Sequence, residues 1–228
     1  MKLKNWSELP ELMKNDMVKP YYQILNKKKG SLLIKRIFDV VISAVLLVLL
    51  SPIMILIAIL IKTDSEGPVF FRQRRVTTYG RVFRIFKFRT MVNNADKIGS
   101  QVTTQNDSRV TKIGEKIRGC RLDELPQLLN VLAGDMTFVG TRPEVEKYVD
   151  CYNDEMYATL LMPAGITSRA SIEYKDEERL LKDCDNIDTV YIQQILPNKM
   201  KYNLNAIRDF SLFADLKTMI MTVVAIVK

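Results

Sequence analysis

The sequence predicts an α+β fold that is mainly helical, with a membrane helix near the N-terminus and then a small domain containing short strands. An uncharged apolar run fills residues 40–61, β-prone stretches lie within residues 67–91, and several later stretches have helical spacing with proline or glycine at the ends. The 228 residues, 47% of them apolar, suffice for one well-packed domain and a membrane element. We therefore divide the chain into an N-terminal extension (1–33), a membrane helix (34–62) and a domain (63–228).

The charge and the residue types limit the available chemistry. Lysine and arginine outnumber aspartate and glutamate by 34 to 26, so the surface should attract nucleic acid, phosphorylated substrates or acidic lipid headgroups. The chain has no histidine, which excludes histidine-based acid–base catalysis and imidazole metal ligands. The three cysteines, Cys120, Cys151 and Cys184, lack C-x-x-C spacing, which argues against a disulfide framework or a zinc site and favours a reducing, cytoplasm-facing location.

The apolar run contains a proline that should bend it. Pro52 removes a backbone donor and frees the carbonyl group of Val48. Ser51 is placed to donate a hydrogen bond to that carbonyl, which makes a bend tolerable at membrane depth. As a straight helix the run would be about 33 Å long, enough to cross a bilayer.

Cations flank the apolar run on both sides, and positive charge favours the cytoplasmic face. A helix that enters, bends and returns would leave both flanks on that face, and each arm of roughly ten residues has re-entrant length. Spanning and re-entrant interpretations both remain open on this evidence. Asp39 should form a membrane-interface ion pair with Lys35 or Arg36 on one helical face. The flanking cations are Lys19, Lys27, Lys28, Lys29, Lys35 and Arg36 before the run, and Lys62, Arg72, Arg74, Arg75 and Arg81 after it.

The stretch 67–91 predicts two short strands joined by a turn, because β-prone aromatic residues alternate with cations between glycines. One interpretation is a packed strand face with solvated arginines opposite it. A second is an anion-binding surface beside a membrane, and a third is stacking on nucleic-acid bases. The adjacent apolar run favours the second, because charged residues near a bilayer meet headgroup phosphates.

Four later stretches have helical character. Residues 108–119 predict a short helix that ends at Gly119, and residues 143–161 predict a longer one that begins at a proline. Residues 162–183 predict a turn followed by a helix. The apolar tail, 215–228, is too short to span a membrane. It is predicted as a core helix or an interfacial helix, and the usual fate of short apolar helices favours the core.

Two adjacent carboxylates, Asp123 and Glu124, precede a predicted helix that starts near Pro126 and stops at Gly134. Helix capping would explain them, since acidic residues stabilise a helix N-terminus by about 0.3–1 kcal/mol. A catalytic interpretation uses the same position, because backbone N–H groups there bind phosphate next to a carboxylate that could attack it. The charge of two carboxylates would then require Mg²⁺ and arginines for neutralisation. The nearby arginines are Arg118, Arg121 and Arg142.

Six motifs occur in order along the chain: "KRIFDVVISAVLLVLLSP" (35–52), "GPVFFRQRR" (67–75), "FKFRTM" (86–91), "DSRVTKIG" (107–114), "RLDELPQLLNVLAGDMTFVGTRP" (121–143) and "AGIT" (164–167). Together they resemble the bacterial sugar transferase family, the monotopic polyprenyl-phosphate phosphoglycosyl transferases. The resemblance covers about residues 34–228. "DELPQ" alone would be only suggestive, whereas the ordered set is highly specific.

The resemblance implies a reaction and a role for each matching residue. A phosphosugar passes from a UDP-sugar to undecaprenyl phosphate, and UMP is released. Asp123 matches the nucleophile that forms a covalent phosphosugar intermediate. Glu124 matches its partner, implicated with Asp123 in Mg²⁺ binding and in activating the lipid phosphate. The residues expected to bind substrate phosphates are Lys87, Arg118, Gln127 and Arg142.

The resemblance also implies a location and partners. It favours the re-entrant interpretation, with the helix broken at Ser51-Pro52 and a catalytic domain on the cytoplasmic face of the bacterial inner membrane. The expected partners are a UDP-sugar, undecaprenyl phosphate and the membrane, without nucleic acid, and a homodimer is left open. A non-enzymatic membrane-anchored adaptor that binds anionic lipid or nucleic acid is the alternative. It would leave the two carboxylates as a helix cap.

Three positions depart from the family pattern. Thr141 replaces a proline before the motif arginine, Thr77 replaces a glycine after "Q-x-R", and Ala164 is an apparent insertion before "GIT". The last region also lacks the family's tryptophan. Because that last region is expected to touch substrate, its departures bear on sugar or nucleotide selectivity rather than on the core chemistry.

Overall fold

Helices make up most of the chain in the computed structural model, which describes residues 1–95, 107–177 and 186–227. The predicted α+β, mainly helical class is confirmed. The helices are α1 (Lys19–Lys27), α2 (Lys29–Asp64), α3 (Lys112–Gly119), α4 (Gln127–Ala133), α5 (Glu146–Val149), α6 (Arg169–Glu173), α7 (Ile187–Val190), α8 (Leu196–Arg208) and α9 (Leu212–Val227). The strands are β1 (Phe70–Val76), β2 (Val82–Phe88), β3 (Met136–Val139) and β4 (Ala164–Thr167). Cys184 and the predicted helical residues 178–183 lie outside the described residues.

The strands form two separate pairs. β1 and β2 form the predicted antiparallel hairpin, with Phe70 opposite Phe88 and Val76 opposite Val82. β3 and β4 pair in parallel, and the sequence predicted neither strand. Within residues 162–183, where the sequence predicts a turn and then a helix, the structure has helix α6 preceded by strand β4. Its glycine serves the packing, since a Cβ atom on Gly165 would lie 2.2 Å from the backbone of the loop after β3.

Helix α2 has 36 residues and continues through Pro52. The hydroxyl of Ser51 donates to the carbonyl oxygen of Val48 at 2.8 Å, as predicted. The helix is long and apolar enough to cross a membrane, and only 11% of its most apolar 18-residue segment is buried. Its length, composition and exposed apolar side chains indicate that α2 associates with a membrane.

Both halves of α2 pack against the same domain. Residues 42–50 lie on a core cluster formed by β2, α4 and β3. Residues 54–61 lie on a second cluster that includes side chains of β2 and α3. At the end of the helix, the Asp64 carboxylate accepts a hydrogen bond from the N–H of Ile113 at 3.1 Å. The domain therefore contacts α2 along most of its length.

The start of α2 is fixed by polar contacts to distant segments. Asp39 is 3% exposed and accepts hydrogen bonds from the Thr137 hydroxyl (2.7 Å) and the Phe138 N–H (3.3 Å) of β3. Lys35 instead pairs with Asp215 of α9 at 2.6 Å.

Arg36 is also drawn away from Asp39. Its guanidinium donates to the carbonyl oxygens of Val131 (2.6 Å) and Leu132 (3.0 Å) at the end of α4. The predicted ion pair between Asp39 and Lys35 or Arg36 is thus wrong. The unsatisfied carbonyls at the end of α4 and the β3 N–H and hydroxyl groups supply better partners than a neighbour on the same helix.

Residues 1–33, predicted as an extension, pack as part of the domain. Their buried apolar side chains join one core cluster with residues that follow α2, including Tyr148 and Leu161. The buried members from this segment are Leu3, Leu9, Met13, Val18, Tyr21, Tyr22, Leu25 and Leu32. The segments before and after α2 therefore share a single hydrophobic core.

The stretch 143–161 does not form the predicted continuous helix. It gives α5 (Glu146–Val149) and then a 3₁₀ helix at Met156–Leu161. Between them, the Asn153 side chain accepts a hydrogen bond from the N–H of Met156 at 3.0 Å. Asparagine competes for backbone hydrogen bonds in this way, and a new turn starts here instead of a further helical turn.

The C-terminal helix α9 has an exposed apolar stripe. Phe213, Ile220 and Val223 are 77%, 58% and 62% exposed. The opposite face packs through small polar residues, with the Thr222 hydroxyl 2.7 Å from that of Thr167. The preference for a core helix is therefore wrong, and the exposed stripe fits the interfacial alternative.

Candidate active site

A short 3₁₀ turn, Leu122–Glu124, carries the two adjacent carboxylates, and α4 follows it. The preceding residue, Arg121, has a left-handed backbone (φ 55°), which is uncommon for a residue with a side chain and is found at constrained sites. In the part of the chain that the structure describes, neither carboxylate caps the turn or α4. A capping hydrogen bond therefore does not account for the pair, although both carboxylates lie in the first turn of the 3₁₀ helix, where acidic residues are favoured.

Glu124 is locked between two cations. Its carboxylate accepts a hydrogen bond from the Lys87 ammonium at 3.0 Å, and the Arg142 guanidinium donates to both of its oxygens. The side chain is 12% exposed. Burial alone would raise the pKa of Glu124, but the charges of Arg142 and Lys87 hold that pKa well below its usual range. Glu124 therefore stays ionised.

Asp123 is 8% exposed, and among the described residues nothing donates a hydrogen bond to its carboxylate. Burial raises its pKa, and the nearby charge of Lys87 opposes that rise. Glu124 is therefore paired and ionised, whereas Asp123 is buried and accepts no hydrogen bond from the described part of the chain. Opposite shifts in adjacent acids are typical of sites where two carboxyl groups have different tasks.

The pKa values of the two cations that contact Glu124 also shift in opposite directions. Burial lowers the pKa of Lys87, which lies on β2. The charge of Glu124 raises the pKa of Arg142, so the guanidinium stays protonated. Arg118, in the last turn of α3, is half-buried, and its charge lowers the pKa of Asp123.

Gln127 is the site residue that the structure places furthest from solvent. Its side chain is 1% exposed, and neither amide atom has a hydrogen-bond partner within the described ranges. The structure thus joins Lys87, Glu124 and Arg142 by contact and Arg118 by charge, while Gln127 stays buried in the first turn of α4. Its binding role remains a prediction.

A metal ion at this place would find two carboxylates. Within the described ranges, no group of three or more His, Cys, Asp or Glu side chains is arranged to hold a metal. Mg²⁺ is commonly bound by one or two carboxylates together with substrate phosphates and water. Asp123 and Glu124 fit that donor set.

Sequence reasoning missed a second buried cluster beside Arg142. Glu144 is 6% exposed and accepts a hydrogen bond from the Tyr191 hydroxyl at 2.7 Å. The Lys199 ammonium lies 3.7 Å from the same carboxylate. The position of Glu144, two residues after a candidate arginine, was the available signal. Its partners could not be inferred from spacing.

The sequence matches the family model described as "Bacterial sugar transferase" over residues 30–228. It is 37% identical, over 83% of its length, to a UDP-N-acetylgalactosamine-undecaprenyl-phosphate N-acetylgalactosaminephosphotransferase of Aeromonas hydrophila. It is 36% identical, over 85% of its length, to a UDP-glucose:undecaprenyl-phosphate glucose-1-phosphate transferase of Klebsiella pneumoniae. The aligned part covers 43% and 40% of those two proteins, so the chain spans about two fifths of their length. The exopolysaccharide production protein ExoY of Rhizobium meliloti is 32% identical, with 84% of each chain covered.

Proposed function

The chain belongs to the bacterial sugar transferase family, and we propose that it transfers a phosphosugar from a UDP-sugar to undecaprenyl phosphate. Relatives named for this type of transfer support the general reaction. We propose further that the reaction passes through a covalent aspartyl-phosphosugar intermediate and releases UMP. The transfer would be a first step of surface glycan assembly. The observation that carries the proposal is the buried carboxylate of Asp123, which has no hydrogen bond among the described residues, beside the Lys87–Glu124–Arg142 cluster.

In the first step, a carboxylate oxygen of Asp123 attacks the phosphorus that bears the sugar. The bond from that phosphorus to the bridging oxygen breaks, and UMP leaves with the oxygen and its electron pair. The product is an acyl phosphate between Asp123 and the phosphosugar. A carboxylate without hydrogen bonds is suited to this attack because no donor has to be removed first.

In the second step, an oxygen of undecaprenyl phosphate attacks the same phosphorus. The bond to Asp123 breaks, and the carboxylate is regenerated. A phosphate monoester has a second pKa of about 6, so the lipid phosphate is mostly dianionic at neutral pH and does not require a general base. The low pKa of Glu124 favours an electrostatic role over proton uptake.

Lys87, Arg118 and Arg142 stabilise the negative charge of the diphosphate and of the transferred phosphoryl group. Arg142 is suited to a planar, two-point contact with phosphate oxygens, whereas Lys87 supplies a compact charge. Mg²⁺ would be held by Glu124 and Asp123. When bound, it would supply Lewis-acid stabilisation of the phosphate oxygens.

The proposed topology is re-entrant, with the domain on the cytoplasmic face of the inner membrane. Support comes from the single core shared by residues 1–33 and the segments after α2, because a helix that crossed the bilayer would separate them. A membrane-impermeant maleimide should label Leu12→Cys and the native Cys151 from the same side in single-cysteine proteins. Labelling from opposite sides would contradict the proposal.

The reaction is tested with full-length protein in nanodiscs containing undecaprenyl phosphate. UDP-glucose and UDP-N-acetylgalactosamine, the donors in the relatives' names, are the first probes of a wider UDP-sugar panel. The wild-type protein should release UMP and carry a phosphosugar on the tryptic peptide that contains Asp123. Asp123→Asn should lose both, and chelation of Mg²⁺ should stop UMP release until Mg²⁺ is restored. UMP release at the wild-type rate by Asp123→Asn would sink the proposed intermediate.

A further inference from the structure

Arg142 lies two residues before a second buried glutamate. Glu124 accepts hydrogen bonds from the Arg142 guanidinium, and the charge of Glu144 also acts on that guanidinium. Glu144 is 6% exposed, and its carboxylate faces residues of α8 and of the turn before it. The position of Arg142 therefore depends on how firmly the loop from residue 140 to residue 144 is held.

The Glu144 side chain is held by Tyr191 and Lys199. The Tyr191 hydroxyl donates to the Glu144 carboxylate at 2.7 Å and accepts from the Lys199 ammonium at 3.0 Å. Lys199 is 5% exposed and also donates to Glu177 at 2.8 Å. One tyrosine hydroxyl thus links a buried lysine to the glutamate next to the active-site loop.

The backbone of the same loop is held by strand β1. The Val76 N–H donates to the carbonyl oxygen of Glu144 at 2.9 Å. The Arg75 guanidinium donates to the carbonyl oxygen of Pro143 at 3.1 Å and is itself fixed by the Gln73 side chain at 2.6 and 3.0 Å. The strand fixes the backbone, and Tyr191 with Lys199 fixes the side chain.

Two features of this arrangement exceed what packing requires. Buried lysine–glutamate pairs are poor sources of stability, because the cost of desolvation offsets their attraction. Apolar residues of similar volume would stabilise the same place at least equally. Tyr191 also begins a π-helical turn, Tyr191–Ile195, and such turns are rare and concentrate at functional sites.

We propose that Tyr191 and Lys199 are positioning residues that hold Glu144 so that Arg142 stays in place beside Glu124 and the substrate diphosphate. This inference rests on the proposed function for the diphosphate and on the contacts above for the loop. Positioning matters because a shift of about 1 Å at a reacting centre can reduce the rate about a hundredfold.

The test variant is Tyr191→Phe, which keeps the ring against Tyr148 (4.6 Å between centroids) and removes only the hydroxyl. The matched control is Tyr148→Phe. The hydroxyl that it removes donates to Asp188 at 2.7 Å and not to Glu144. Tyr191→Phe should reduce UMP release at saturating UDP-sugar by ten- to a hundredfold with little change in KM. Tyr148→Phe should stay within about twofold of wild type. Lys199→Met should resemble Tyr191→Phe, and Lys199→Arg should recover most of the loss.

Hydrogen–deuterium exchange of the peptide spanning residues 136–146 gives a second measurement that needs no substrate. Tyr191→Phe should raise exchange there about tenfold, and Tyr148→Phe should not. Only faster exchange together with a slower reaction supports positioning, and either change without the other overturns it. If wild-type protein releases no UMP with any donor, the proposed function fails, and the exchange measurement still decides whether Tyr191 holds the loop.

Discussion

Glu124 and Glu144 both lie near Arg142 and near a lysine; Glu144 is buried, and Glu124 is 12% exposed. Lys87 contacts Glu124 at 3.0 Å, and Lys199 lies 3.7 Å from Glu144. They differ in their other neighbours. Glu124 lies next to Asp123, a carboxylate without a hydrogen bond in the described structure, whereas Glu144 is closed off by the Tyr191 hydroxyl. A buried ion pair alone therefore does not distinguish the proposed reacting centre, and the adjacent acid, which has no hydrogen bond among the described residues, does.

The largest expected effect is on the reaction, at Glu124. Glu124→Gln removes the charge that organises Lys87 and Arg142, and we expect adduct formation on Asp123 to slow about a hundredfold. The free energy of unfolding should fall as well, by about 3 kcal/mol, because Lys87 and Arg142 lose the carboxylate that both contact. Rapid-quench detection of the adduct and urea denaturation measure the two quantities.

Glu144→Gln is the matched variant and should lose stability with a smaller loss of rate. It leaves Lys199 paired with Glu177 at 2.8 Å and removes the charge that accepts from the Tyr191 hydroxyl, so we expect the unfolding free energy to fall by about 1–3 kcal/mol. Its adduct formation should slow less than that of Glu124→Gln. If both variants lost stability and rate in the same proportion, the distinction between the two glutamates would be wrong.

The next effect is a shift in pH dependence at Lys87. Asp123 attacks only when ionised, so the rate of adduct formation should fall as the pH drops through its raised pKa. The charge of Lys87 opposes the effect of burial on that pKa, so Lys87→Met should raise it further and move the acid limb to higher pH. Glu124 does not produce this limb, because its pKa is held low.

Arg74→Met is the control for this shift. Arg74 lies on the same hairpin, is 64% exposed and pairs with Glu146, so Arg74→Met removes an equal charge from an exposed position. The measurement is the single-turnover rate of adduct formation across pH. An acid limb that stays in place in Lys87→Met, or moves equally in Arg74→Met, would mean that Asp123 is not the titrating group.

The contacts around Glu124 could be predicted from the sequence better than the contacts around Glu144. Lys87, Glu124 and Arg142 belong to motifs, and the structure joins them. The Ser51 hydrogen bond was also predictable, because its acceptor is three residues away in the same helix. Interactions of this kind follow from local chemistry or from a strong motif.

Contacts between distant segments could not be predicted in the same way. The partner of Asp39 is 98 residues away, and the partner of Glu144 is 47 residues away. Strand β3 is buried at all four positions, so it lacks the alternation that marks a half-exposed strand. The outcome at each of these positions depends on tertiary packing, which overrides local preference.

The smallest expected effect on the reaction belongs to Thr77, which departs from the family glycine and lines the same small cavity as Arg142 and Glu144. Its hydroxyl donates to the carbonyl oxygen of Asp135 at 2.7 Å and accepts from the N–H of Ala164 at 3.1 Å. Two departures from the family pattern are therefore partners. Thr77→Gly should lower the unfolding free energy by about 1–3 kcal/mol, because the buried N–H of Ala164 loses its acceptor. Adduct formation should remain within about twofold of wild type, and Thr77→Ser should retain the stability. A large loss of rate in a folded Thr77→Gly protein would place Thr77 with the Glu124 cluster, since its hydrogen bonds would then support the reaction and not only the packing beside Glu144.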